Sequence, residues 1–128
     1  MNIAEKLAAA VGAVEALDGR VYPSGLVADD VPSPLAVYRF TGSEAVQTLD
    51  GAVAYRVDTA QIDIWGESYD QLWDIALEVE SALAGLADVD LGGGHWLCGV
   101  AIGGKAPDAV DVVRGELCRS VVAAFSWV

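Results

Sequence analysis

The sequence predicts an α+β fold, a mostly antiparallel β-sheet with two helices packed on one face, in a single domain spanning residues 1–128. Three observations lead there. Two segments, 2–17 and 69–86, repeat apolar residues at three- and four-residue spacing. Four others, 35–42, 52–65, 95–105 and 116–128, carry the period-2 alternation of strands. The order is helix, three or four strands, helix, two strands, and runs of strands joined by turns favour hairpins over parallel crossovers.

The first helix places Ile3, Leu7, Ala10, Val11, Val14 and Leu17 on one buried stripe. Asn2 can cap it with Glu5 three residues on, and Asp18-Gly19 supplies a stop. Gly12 weakens the helix slightly. "RVYPSG" is a short extended segment closed by Pro23 and Gly25. The run 28–34, "ADDVPSP", has neither periodicity and reads as a loop. "LAVYRFTG", 35–42, is a strand, and 43–52 reads as a long hairpin tip ending in the Asp50-Gly51 turn.

In 52–65, Tyr55 and Val57 share one face whereas Ile62 and Ile64 share the other. That change of phase predicts a bulge or bend near Thr59-Ala60. The second helix opens at Ser68, which forms a capping box with Gln71, and buries Leu72, Ile75, Ala76, Val79, Leu83 and Leu86. After the "DVDLGGG" turn, the strand 95–105 is expected to align Trp96, Cys98, Val100 and Ile102. The connection that follows has no clear type. The final strand puts Val121, Ala123, Phe125 and Trp127 on one face.

Composition narrows the function classes. With 54% hydrophobic residues the chain can build a core, although many are Ala and Val, so the core should be thin. No apolar stretch reaches the roughly 18 residues of a membrane span. The N-terminal segment, with Glu5 and Lys6 ahead of a short apolar run, reads as an amphipathic helix and not as a signal peptide. Seven basic against 19 acidic residues give a net charge of −12, which argues against gripping a phosphate backbone. It is compatible with simple solubility, and also with a surface past which DNA slides. Cys98 and Cys118 lack metal-ligand spacing and are expected to be reduced, half-buried strand residues, with a disulfide between them the alternative.

The stretch "QIDIWGESYDQLWDIA", 61–76, holds four carboxylates and invites an active-site reading. Spacing removes it. Asp63 leaves the sheet opposite Ile62 and Ile64, while Asp70, Asp74 and Glu78 fall on the helix face opposite its buried stripe. A catalytic pair needs convergence and burial, and these positions supply neither. His95 is the single histidine and lacks nucleophile or metal context. Neither Gly92-Gly93-Gly94 nor Gly103-Gly104-Lys105 has the pattern of a phosphate loop. No catalytic, cofactor or metal residue is therefore expected. Trp73 and Leu77 lie one turn apart on the shoulder of the second helix. They either widen the core or form a second apolar surface for a subunit contact.

The arrangement of "DGRVYP", "PLAVYRFTG", "YRVDTAQIDIWGESYDQLWDIALEVESAL" and "RSVVAAFSWV" resembles the tail-completion, or tail-terminator, proteins of long-tailed phages and prophages. The resemblance covers most of the chain and leaves 88–115 unmatched. It implies a virion subunit, not an enzyme, that assembles in the host cytoplasm into a ring, commonly a hexamer, at the head-proximal end of the tail. Its implied partners are itself, the tail tube protein, a head-neck connector and passing DNA held without tight binding; no cofactor or membrane is implied. The acidic pair Asp29 and Asp30 could then face the lumen. Another neck or minor tail adaptor, or a small ligand-binding or enzymatic domain using Asp63, Asp74 and His95, are the alternatives.

Overall fold

The computed structural model describes residues 2–25, 31–103 and 116–128, together with the backbone of 109–111. Its elements are helix α1 (Ile3–Gly12), a 3-10 turn (Glu15–Leu17), strands β1 (Val21–Pro23), β2 (Leu35–Gln47) and β3 (Val53–Gly66), helix α2 (Tyr69–Ala84), and strands β4 (Val89–Gly92), β5 (His95–Ile102), β6 (Ala109–Asp111) and β7 (Glu116–Trp127). The sheet runs β1-β2-β3-β7-β5-β4, with β6 beside β7. Every pairing is antiparallel except β1 with β2. This is the α+β architecture that the order of elements predicts.

Both helices cover the same sheet face. Ile3, Leu7 and Val11 of α1 and Leu72, Ile75, Ala76, Val79 and Leu83 of α2 share one core with Ala60, Ile62 and Ile64 of β3 and Val121, Ala123 and Phe125 of β7. The caps are those the sequence indicates. Asn2 accepts a hydrogen bond from the Glu5 amide at 2.9 Å, and Ser68 accepts one from the Gln71 amide at 3.5 Å. The first helix is shorter than its periodicity predicts. It stops at Gly12, and the chain tightens into the 3-10 turn, which keeps Val14 and Leu17 buried. Asp18 and Gly19, both left-handed, then reverse the chain into β1.

Three local expectations change. Ladder pairing continues to Gln47↔Val53, so the hairpin tip is only 48–52 and not 43–52. The predicted irregularity does fall at Thr59-Ala60, but the extra residue is Thr41 on β2: Phe40 pairs with Ala60 and Gly42 with Thr59. The alternation of β3 itself is unbroken. Its apolar residues change face because the strand leaves the helix-covered core, so Tyr55 and Val57 lie on the outer sheet face, Val57 still beside β7 and Tyr55 beyond its end. In β5 the expected alignment of Trp96, Cys98, Val100 and Ile102 breaks at a bulge between Leu97 and Gly99. Leu97 is fully buried and Val100 and Ile102 pack on the core, leaving Trp96 and Cys98 exposed. Both cysteines are free, Cys118 buried and Cys98 more exposed than expected.

The corner between β3 and α2 is tight. A Cβ at Gly66 would lie 3.0 Å from Leu72 Cδ2 and 3.4 Å from Gln71 Oε1. Leu72 is fully buried, so Gly66→Ala must displace a core methyl. A loss of about 1 kcal/mol is expected from such overpacking. Thermal unfolding should show it as a midpoint about 4 °C lower; an unchanged midpoint would mean that the corner is not packed as described.

Candidate functional site

The carboxylates of 61–76 separate in the structure as their spacing predicts. Asp63 stands on the outer sheet face, where its Oδ1 accepts hydrogen bonds from Gln61 Nε2 at 2.8 Å and Ser120 Oγ at 2.6 Å. Ser120 is its ladder partner on β7. Asp70, Asp74 and Glu78 are exposed on the opposite layer, along the solvent side of α2. His95 belongs to a third place, the start of β5, where its ring packs edge-on against Trp127 with centroids 5.1 Å apart. Its Nδ1 lies 3.3 Å from the Val128 carbonyl oxygen. Asp63, Asp74 and His95 are thus held on separate surfaces and share no chemistry. Among the described residues no group of three His, Cys, Asp or Glu side chains could hold a metal ion.

Trp73 and Leu77 do not widen the core. They are 53% and 52% exposed, which decides in favour of a second apolar surface on α2. The Arg119 guanidinium lies 4.3 Å from the centroid of the Trp73 ring, and Arg119 itself is buried. One face of the indole is therefore backed by a cation while the side chain as a whole remains half open. Asp70, Asp74 and Glu78 flank the pair on the same helix. Asp29 and Asp30, the other acidic candidates, lie outside the described residues.

Two further features were not legible in the sequence. The first is the arm. As far as the Ala45↔Arg56 pair β3 is still flanked by β7; beyond it, residues 46–55 continue as a short two-stranded ribbon whose residues are almost all exposed, with Leu49, Val53 and Tyr55 among them. Its tip is ordered by polar contacts: the Thr48 amide bonds the Ala52 carbonyl at 2.7 Å, Gly51 takes a left-handed φ of 87°, and Asp50 accepts from Thr48 Oγ1 and from the Ala52 amide. The Thr48 hydroxyl, followed by the Ala52 amide, lowers the Asp50 pKa.

The second feature is an open cleft of about 820 Å³ at the root of the arm, on the helix-covered side of the sheet. Ile3, Phe40, Leu91 and Trp127 give it apolar walls, and the turn at Gly92-Gly93 closes one end. Three successive glycines with positive φ, Gly92 to Gly94, make that turn possible. Asp58 lies inside, yet its oxygens are already engaged by Ser43 Oγ at 2.5 Å and Trp127 Nε1 at 3.0 Å. The cleft gathers residues from five separate segments, brought together by the β2–β3, β3–β7, β5–β7 and β4–β5 pairings and by the packing of α1 on the sheet. Sequence spacing carries no signal for that.

The comparisons with known proteins bear on a molecule with surfaces of this kind. The family model described as Tail completion protein gp17 matches residues 3–102. This chain belongs to that tail completion family. The matched range runs from the first residue of α1 to the last of β5, so it contains the arm, the cleft lining apart from Asn2 and Trp127, and the Trp73–Leu77 surface. A chain from a solved structure titled "Virion of native gene transfer agent (GTA) particle" has the same fold, with a TM-score of 0.69, 18% identity and coverage of 98% of this chain and 96% of the other. No curated protein matches significantly in sequence. As a tail completion protein, the chain is a structural component of the virion tail. No helix among the described residues is long and apolar enough to cross a membrane.

Proposed function

We propose that this tail completion protein forms a ring at the head-proximal end of the finished tail tube, ends tube growth and offers its other side to the neck of the head. The observation that carries the reading is the arm. Residues 46–55 project past the end of β7 as a two-stranded ribbon, which is marginally stable alone in water, and Leu49, Val53 and Tyr55 on it are exposed, so a partner that covers the ribbon best explains it. The exposed Trp73–Leu77 surface supplies a second contact on the same subunit, as a ring built from one kind of chain requires.

On this reading the single domain 1–128 acts by assembly and not as an enzyme. Its partners are further copies of itself, commonly six, the tail tube protein and a head-neck connector. The acidic balance keeps DNA from lodging in the ring as it passes. Asp29 and Asp30 are assigned to that lining, and neutralising both should slow genome ejection without blocking assembly; unchanged ejection would remove the pair from this role.

The ring reading is tested on particles assembled without this chain. Electron microscopy is expected to show overlong tails, or tails of normal width lacking heads. Tails of normal length joined to heads would sink it.

A further inference from the structure

The surface on α2 and the cleft beside the arm sit at opposite ends of the same strand. Arg119, under the Trp73 ring, and Trp127, in the cleft wall, are both on β7 and eight residues apart. At strand rise that separation is about 26 Å. The two patches therefore cannot meet within one chain.

Their chemistries are nevertheless complementary. The α2 patch is an apolar pair, Trp73 and Leu77, ringed by the exposed carboxylates Asp70, Asp74 and Glu78. The cleft is an apolar hollow with one exposed cation, Arg56, beside its Trp127 wall. The Arg56 guanidinium stands 6.0 Å from the Trp127 ring centroid, exposed, with no carboxylate within ion-pair distance among the described residues. The N-terminal turn of α1, Asn2 to Ala4, lines another wall, where Glu5 in the same turn offsets the positive end of the helix dipole. Asp58 is the one carboxylate in the lining, and its hydrogen bonds to Ser43 and Trp127 already neutralise part of its demand for donors.

We infer that the cleft of one copy receives Trp73 and Leu77 of the next copy, with Arg56 facing the Asp70–Asp74–Glu78 strip. The contact is a helix laid in a groove, apolar anchors at positions i and i+4 entering the hollow and charges meeting at its rim. Because the two patches differ, the contact is head-to-tail and repeats from copy to copy until it closes. The inference rests on the ring reading above and specifies which surfaces make the ring.

The test uses assembled particles carrying the full chain with Cys98→Ser, Thr41→Cys and Leu77→Cys. Thr41 lines the cleft and is exposed, as is Leu77, while the native Cys118 is buried. A short bismaleimide is expected to give a ladder of covalent oligomers ending at the closed ring, whereas each single-cysteine variant gives dimers at most. Arg56→Glu is expected to lower incorporation into particles about tenfold, and adding Asp74→Arg to restore most of it, because opposite charges again face each other. A ring visible at the neck without the 41–77 ladder would overturn this interface and leave the ring reading standing. Absence of any ring would overturn both. Failure of Asp74→Arg to rescue Arg56→Glu, when both variants fold, would also overturn the pairing.

Discussion

Phe125→Ala is expected to cost about 3–5 kcal/mol of folding stability, the range for truncating a buried aromatic. Phe125 is fully buried near the C-terminal end of β7, between Asp58 on β3 and Val100 on β5, and packs with Phe40 at a centroid distance of 6.4 Å. A domain of this size holds only about 5–15 kcal/mol in all, so a loss this large takes much of its margin. Chemical denaturation should show the midpoint fall with an unchanged slope. Phe125→Leu, which keeps most of the volume, should cost less than about 1.5 kcal/mol. Equal effects from the two variants would mean that the ring of Phe125 is not what fills this part of the core. Because Phe40 is 40% exposed and forms a wall of the cleft, Phe125→Ala should also loosen that wall.

Shortening the arm should produce the opposite split between fold and assembly. Replacing residues 46–55 with Asn-Gly leaves the Ala45↔Arg56 pair joined by a two-residue turn of the kind antiparallel strands favour. The removed ribbon lies outside the core, and none of its residues is buried. The thermal midpoint is therefore expected to stay within about 4 °C, equivalent to roughly 1 kcal/mol. Incorporation into particles should fall below detection, since the proposed ring uses the arm as a contact surface and the core does not depend on it. A shortened protein that assembles normally would leave the arm without a role, and one that unfolds would show that the arm belongs to the core after all.

Fold and site differed in how far the sequence could be read. The helices were legible because their signals are local: Asn2 with Glu5 and Ser68 with Gln71 are caps three residues wide, and the Leu72–Val79–Leu83 stripe needs only one helix to define it. The same locality disposed of the apparent acidic site, since the positions of Asp70, Asp74 and Glu78 on α2 follow from helical periodicity alone. Bulges were harder. An extra residue such as Thr41 or Cys98 is a property of a strand pair, and the residue that reveals it can lie on the partner strand. The apolar switch from Ile62–Ile64 to Tyr55–Val57 was a true signal, but of a strand leaving its core. The parallel pairing of β1 with β2 had no local trace either, because nothing in three residues distinguishes it from an antiparallel edge. The cleft was least accessible of all. Ile3, Phe40, Leu91 and Trp127 are spread over most of the chain, and only tertiary register makes them neighbours.

In the proposed ring this chain sits at one end of the tail, and position is the property that immunogold electron microscopy of intact particles reads most directly. With antibody raised against the whole chain, gold is predicted only at the junction of head and tail, once per particle. Gold spaced along the tube, or collected at the tip far from the head, would contradict the account.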